Sequence, residues 1–130
     1  MAALSDYAEK LLLDFLMTTG TATRPTNWYV ALFTAAPNDA GGGTEVSAGG
    51  YARQSVAFSA AASPGGTTSN TGEVSYTASG GDYGTVTHMG IFDASSSGNL
   101  LWHGALTASK AVADGDTLTF AAGNIDLTMA

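Results

Sequence analysis

The chain has 130 residues, no cysteine and a formal net charge of −7, with eleven acidic side chains against four basic ones. This length suits one domain with a core of its own, and the lack of cysteine excludes a disulfide framework, a thiolate nucleophile and a cysteine-ligated zinc site. An acidic chain with so few basic residues is also unsuited to binding a nucleic-acid backbone, so we expect no nucleic-acid partner.

The hydropathy pattern indicates no membrane partner. No apolar run approaches the roughly 18 residues that span a bilayer. The first residues lack the basic n-region and the unbroken apolar h-region of a signal peptide. We therefore expect a soluble protein that is made in a cytoplasm.

Residues 1–20 are predicted to form an amphipathic helical segment. Ser5 is a suitable N-cap, and Asp6 and Glu9 fall in the first turn, where negative charge complements the helix dipole. A Thr-Thr-Gly sequence at 18–20 ends the helix. Apolar residues recur at spacings of three and four, which gives the helix one apolar face: Leu4, Tyr7, Ala8, Leu11, Leu12, Phe15 and Leu16. We favour packing of this face on the domain's own sheet, and docking on a neighbouring subunit is the alternative.

Residues 26–130 show the pattern of a β-rich body. Trp28–Thr34 is almost continuously apolar, as in a central strand that is buried on both faces. Shorter strands are predicted at Tyr51–Ser59, Glu73–Ala78, Thr117–Ala121 and Ile125–Met129, and a hairpin at Val86–Leu106. Long loops are predicted at Pro37–Gly50, before the strand Tyr51–Ser59, and at Ala60–Ser69, after it. Short strands with frequent turns predict a mainly β fold, an antiparallel sandwich or barrel of about six to eight strands, in one domain spanning 1–130.

The hairpin contains both histidines of the chain. If its strands pair symmetrically about the turn at Asp93–Gly98, Phe92 lies opposite Asn99 and His88 lies opposite His103. Two imidazoles at that distance could pack against the sheet, bind a metal or form a pH-sensitive contact. We favour packing, because a catalytic zinc usually needs a third protein ligand and the chain has no third histidine.

The turns carry oxygen ligands but no complete calcium motif. Asp93–Gly98 matches the opening of a calcium loop, yet its twelfth position is Gly104 where the loop needs glutamate. Asp114, Asp116 and Asp126 also lie at turns, where such residues are common for structural reasons. Because no nucleophile elbow, phosphate loop or zinc-protease helix is present, we expect no enzyme, catalytic residue, cofactor or metal.

The aromatic residues raise the question of sugar binding. Trp28 and Trp102 lie within apolar strands, so we expect them to pack in the core. Tyr51 and Tyr83 border glycine-rich loops and are the better candidates for an exposed platform of a carbohydrate-binding module.

The order of several segments resembles a known family. The N-terminal helix is followed by Trp-Tyr-Val-Ala-Leu-Phe-Thr at 28–34 and by Gly-Gly-Tyr-Ala-Arg-Gln at 49–54. Val-Thr-His-Met-Gly-Ile-Phe-Asp at 86–93, Gly-Asn-Leu-Leu-Trp-His-Gly-Ala-Leu at 98–106 and Asp-Gly-Asp at 114–116 come next. The chain resembles small structural virion proteins of tailed bacteriophages, of the tail-fibre-like kind, over nearly its whole length.

The resemblance implies a non-enzymatic virion component, made in the host bacterial cytoplasm and present in several copies. Its expected partners are other virion proteins and copies of itself, and a host surface glycan is a further candidate. A module at the tail fibre or baseplate is the favoured location, with capsid decoration and a carbohydrate-binding attachment role as alternatives. The assembly contacts are expected at the N-terminal helix and the two long loops, and the candidate residues are Leu4, Tyr7, Leu11, Glu45, Tyr51 and Tyr83.

Overall fold

The structure is a computed structural model that describes residues 2–129. Met1 and Ala130, the ends of the predicted domain, lie outside the described residues. One helix and ten strands follow one another in the described part: β1 (Ala2–Leu4), α1 (Asp6–Met17), β2 (Tyr29–Ala35), β3 (Thr44–Glu45), β4 (Gln54–Ser55), β5 (Thr67–Ser69), β6 (Val74–Thr77), β7 (Gly84–Phe92), β8 (Leu100–Val112), β9 (Thr117–Phe120) and β10 (Asp126–Thr128). No helix among residues 2–129 is long and apolar enough to cross a membrane.

The larger layer is an antiparallel sheet with the order β1-β8-β7-β2-β3, in which β4 also pairs with β2. Strand β2 lies inside the sheet, between β7 and the edge formed by β3 and β4, and its residues Val30–Phe33 are all buried, as the continuous apolar run predicts. On the side away from β7, β2 pairs with two short strands, β3 and β4. β4 pairs with Tyr29 and Val30, β3 pairs with Phe33 and Ala35, and residues 46–53 bulge out between them.

The smaller layer consists of two strand pairs, β5 with β10 and β6 with β9. They meet at Asn70, which is 2% exposed. Its side-chain amide donates to the carbonyl oxygens of Gly72 (2.8 Å) and Ala121 (3.1 Å), and its side-chain oxygen accepts from the Ile125 N–H (2.9 Å). These bonds satisfy the buried amide, and they join the end of β5 to the end of β9 and the start of β10.

The core lies between the two layers. Its residues come from the inner faces of β2, β7 and β8 and from the facing strands, with Tyr76 and Leu118 in the smaller layer. Alternation is clear in β6, where Val74 and Tyr76 are buried while Ser75 and Thr77 are exposed. Within residues 2–129, no buried side-chain nitrogen or oxygen lacks a hydrogen-bond partner.

The predicted fold class is confirmed: the molecule is mainly β and antiparallel, with a single short helix near the start of the described chain. Several boundaries differ. β1 was not expected, β5 lies at the end of the predicted loop 60–69, and only Gln54–Ser55 of the predicted strand 51–59 is a strand. The strand count exceeds the expected range because β1, β3 and β5 form in segments predicted to be helical (1–20) or loops (37–50 and 60–69).

Candidate assembly surface

The first turn of α1 is anchored to the body by Ser5. This residue is 1% exposed, and its hydroxyl donates to the Leu100 carbonyl oxygen while accepting from the Ala8 N–H (3.1 Å). Its backbone N–H donates to the Leu101 carbonyl oxygen (2.9 Å). The predicted N-cap is therefore confirmed, and the same hydroxyl also joins the helix to β8.

A second link runs through the loop after β2. The Asp6 N–H donates to the carbonyl oxygen of Asp39 (2.9 Å), and the Asp39 carboxylate lies 2.8 Å from Nε2 of His103 on β8. Sequence patterns did not identify Asp39, because its partners are more than 30 residues away along the chain. The start of the helix is thus held by both the sheet and a loop.

The end of α1, residues 13–17, carries large apolar side chains that are exposed, and we call these residues the distal half of α1. Ala8 is buried and Leu11 and Leu12 are half-buried, so the proximal half covers part of the sheet. The large apolar side chains that follow are exposed, at fractions of 61% for Leu13, 69% for Phe15, 68% for Leu16 and 76% for Met17. The favoured packing of this face on the chain's own sheet therefore holds for its first turns, at Ala8, Leu11 and Leu12, whereas Phe15 and Leu16 of the same face are exposed.

A second cluster holds the bulge between β3 and β4, and we call Glu45, Tyr51 and Arg53 the clamp. The Arg53 guanidinium bonds both carboxylate oxygens of Glu45, at 2.9 Å each, and lies 3.7 Å from the centre of the Phe92 ring. Its third nitrogen donates to the carbonyl oxygens of Ala94 (2.9 Å) and Ser97 (2.8 Å) in the β7–β8 turn. One side chain therefore joins the bulge to that turn.

Tyr51 completes the clamp by replacing a missing strand partner. Its hydroxyl accepts from the Leu32 N–H (3.0 Å), which the bulge leaves without a ladder bond, and donates to Glu45 (2.7 Å). Burial opposes ionisation of Glu45, but the hydrogen bonds from Arg53 and Tyr51 outweigh it and hold the pKa of this carboxyl below its ordinary value. Burial and the neighbouring carboxylate raise the pKa of the Tyr51 hydroxyl, so it stays protonated as a donor.

The expected contact residues fall into two separate groups. Leu4 and Leu11 are half-buried beside the body and Tyr7 is 40% exposed on α1. Glu45 and Tyr51 are half-buried in the clamp.

The expected exposure of Tyr83 is wrong. Tyr83 is 7% exposed, because its ring packs edge-on against Tyr51 and its hydroxyl bonds the Thr77 carbonyl oxygen (3.2 Å). An exposed tyrosine platform at Tyr51 and Tyr83 is therefore absent from this part of the structure. Trp28 and Trp102 pack against the core as expected, and each is half-buried.

The predicted register of the hairpin is wrong by two residues at the histidines. His88 lies opposite Ala105 and His103 lies opposite Gly90, because Phe92 pairs with Leu100 and an irregularity follows on β8. The two histidines are diagonal neighbours, and each ring bonds elsewhere: Nδ1 of His88 lies 2.8 Å from the Thr87 hydroxyl, and His103 bonds Asp39.

The carboxylates at the turns are used within the fold. Asp93 accepts from the backbone N–H (2.7 Å) and the side-chain amide (2.9 Å) of Asn99, which closes the β7–β8 turn. Asp114 accepts from the Gly80 N–H (3.0 Å) and Asp116 from the Ala113 N–H (3.0 Å). Among residues 2–129, no three histidine or acidic side chains gather in a way that could hold a metal ion.

Comparison with known protein families identifies a match over nearly the whole chain. A family model described as Podophage GP4 fiber I protein gp80 matches residues 3–128, which is nearly the whole chain. No curated protein matches it significantly.

Proposed function

The chain belongs to the Podophage GP4 fiber I protein gp80 family and is a structural protein of the phage virion, and from this premise we propose that it is a module of the tail-fibre or baseplate region, present in several copies. The resemblance noted in the sequence had pointed to the same class of protein. What the proposal adds is the location, the copy number and the surface that makes the contacts.

The distribution of exposed apolar side chains carries the proposal. Among residues 2–129, five of the six large apolar side chains that are exposed lie on α1, and the sixth is Met129. Contiguous exposed apolar surface on a folded protein is typical of a protein–protein contact. In a virion protein, the surface that meets another virion protein or a second copy is therefore the distal half of α1.

The contact residues follow from this geometry. Tyr7 is 40% exposed in the first turn of α1, and Leu4 and Leu11 border the body, so all three would lie at the rim of this contact. Glu45, Tyr51 and Tyr83 would act indirectly, since they fix the bulge at 46–53 and so the shape of that loop.

Incorporation into particles tests the surface. The double variant Leu13→Gln/Leu16→Gln changes only two exposed side chains. Deletion of the N-terminal segment 1–20 would be a less specific test, because it would also remove β1 from the edge of β8. We expect phage produced with this variant to lack the protein, and phage with the exposed polar control Lys10→Gln to contain it. Normal incorporation of the folded double variant would contradict the proposed surface.

Imaging of particles that carry a labelled chain tests the location. If the label is found at the tail, with a copy number that matches the symmetry of the tail, the result supports a location at the fibre or baseplate. Label spread over the head with the symmetry of the capsid lattice would show a decoration protein and contradict it.

The remaining parts of the proposal concern the domain and catalysis. One core unites residues from β2 to β10, so we propose that residues 1–130 unfold as a single domain. We propose no enzymatic role, which is supported by the fibre family and by the structural bonds of Glu45, Asp93 and Asp114. Degradation of host cell wall by the purified chain, lost on substitution of one acidic residue, would contradict this.

A further inference from the structure

We propose that a pocket between the two tryptophans binds an acidic sugar ring. Trp28 and Trp102 are the two tryptophans of the chain, and they line the same cavity of about 420 Å³ although 74 positions separate them. This volume falls within the range of small-ligand sites, about 300–1,000 Å³. The inference goes beyond the proposed assembly role, because it concerns a ligand of the isolated chain.

The walls of the pocket suit the apolar faces of a pyranose. Phe58 completes an aromatic lining with the two indoles, and all three side chains are half-buried. All three pack against the core and also line the pocket. Large aromatic rings that combine a rigid apolar surface with a polar edge are well suited to flat, amphipathic ligands.

The rim supplies hydrogen-bonding groups for sugar hydroxyls. Ser59 and Thr68 lie side by side at the pocket, with their hydroxyl oxygens 3.3 Å apart. The Thr68 hydroxyl donates to the Ser59 carbonyl oxygen (2.5 Å) and accepts from the Ser59 hydroxyl, so lone pairs on both hydroxyl oxygens remain to accept from a sugar hydroxyl. A few polar groups beside an apolar wall are the usual composition of a small-ligand site.

Arg24 determines the charge of the ligand. It is the cation that lines this pocket, and within residues 2–129 it has no ion pair, unlike Lys10 and Arg53. A guanidinium bonds a carboxylate through two parallel N–H groups, which gives both strength and orientation. The pocket therefore favours a uronic acid or a similar carboxylated sugar over a neutral one.

Intrinsic fluorescence of the purified full chain provides a local probe, because both tryptophans line the pocket. The chain is titrated with methyl glucuronide and, as a matched neutral ligand, methyl glucoside. We expect weak saturable binding of the glucuronide, about tenfold tighter than that of the glucoside, the difference that one charge-assisted bidentate contact provides.

Variants separate the pocket from general effects. Arg24→Gln is expected to reduce glucuronide binding to the level of the glucoside, and the matched charge control Lys10→Gln to leave it unchanged. Trp102→Leu is expected to abolish binding, observed by ligand NMR, with thermal unfolding as the check that the variant is folded. Because Trp102 contributes to the core, Thr68→Val at the rim provides a second variant, expected to weaken binding several-fold.

Three results would overturn the proposal. The first is no saturable response to the glucuronide by either fluorescence or ligand NMR. The second is equal binding of both sugars that Arg24→Gln does not alter, and the third is binding that survives Trp102→Leu in a folded chain. None of them affects the assembly proposal, which is tested on particles with α1 variants.

Discussion

The clamp and the distal half of α1 differ in how their side chains are satisfied. In the clamp, a side chain that is only 7% exposed, Arg53, has a partner for each of its bonding groups: Glu45, two backbone carbonyls and the face of Phe92. On α1, Phe15 and Leu16 are more than two-thirds exposed and contact little of the chain. The clamp side chains find their bonding partners within the chain, whereas the apolar side chains at the end of α1 are left exposed to water.

This difference separates the residues that maintain the fold from those available for contacts. A buried charge without its partners is costly, so clamp variants should act on the free energy of unfolding. Exposed apolar residues contribute little to the stability of a single chain, so helix variants should act on association. The predictions below test that separation, beginning with the largest expected change in stability.

Arg53→Gln should destabilise the chain by about 3 kcal/mol, because it leaves the half-buried Glu45 carboxylate and the carbonyls of the β7–β8 turn without their donor. Urea denaturation of the purified chain measures this. The control is Lys10→Gln, whose exposed pair with Asp14 should contribute less than about 0.5 kcal/mol. A loss below about 1 kcal/mol for Arg53→Gln would show that the clamp does not maintain the fold.

Gly49→Ala should destabilise the chain by about 2 to 3 kcal/mol, since a side chain is disfavoured at positive φ and must also displace its neighbours. The backbone of Gly49 has a φ of +66°, and a Cβ there would lie 2.6 Å from the Gly81 carbonyl oxygen and 2.9 Å from the Tyr83 ring.

Gly115→Ala, in the turn between β8 and β9, is the matched control for Gly49→Ala. Gly115 also has a positive φ, +90°, but a Cβ there meets nothing within 4 Å. Gly115→Ala should therefore lower the free energy of unfolding by only about 1 to 2 kcal/mol, the cost of placing a Cβ at a positive φ. Equal losses for the two variants, compared by thermal unfolding, would show that the close approach between Gly49 and Tyr83 contributes nothing.

Glu45→Gln should reduce stability near neutral pH and much less in acid. The folded pKa of Glu45 lies below its ordinary value of 4.5, so the ionised carboxylate stabilises the folded state fully above pH 4.5. This contribution is lost as the pH falls through the lowered folded pKa. The free energies of unfolding of the variant and the unmodified chain should therefore converge in acid.

Urea midpoints measured over a pH series from neutral to acid provide the measurement. Glu73→Gln is the matched control, because Glu73 is exposed and takes no part in the clamp. A gap between Glu45→Gln and the unmodified chain that stays constant with pH would contradict an ionised, stabilising Glu45.

Local patterns in the sequence predicted the features that depend on neighbouring residues. Ser5 was recognised as an N-cap, and the apolar run at 28–34 as a central strand, because each signal lies within a few positions of the chain. The same reasoning identified most of the apolar residues of α1, but not Leu13 and Met17. It did not show that the helix extends past the sheet, since periodicity defines an apolar face without locating its partner.

Features that depend on distant residues were missed. The His88–His103 register failed because the Leu100 pairing and an irregularity near Leu101 shift β8, and nothing in the turn sequence marks that shift. The clamp was missed because Arg53 and its acceptors in the β7–β8 turn are more than 40 positions apart. The one available signal was an arginine within an apolar stretch of a chain that has only four basic residues.

Leu13→Gln/Leu16→Gln should show the smallest change in stability, within about 0.5 kcal/mol of the unmodified chain, because both side chains are already in water in the single chain. Urea denaturation at low protein concentration measures this, and light scattering at high concentration measures self-association. We expect weaker self-association, or weaker binding to a partner virion protein, at unchanged stability.

Ala8→Gln is the contrasting variant, because Ala8 is 5% exposed where the helix meets the body. If Leu13→Gln/Leu16→Gln destabilised the single chain as much as Ala8→Gln, the distal half of α1 would belong to the fold, and the distinction between the helix and the clamp would fail.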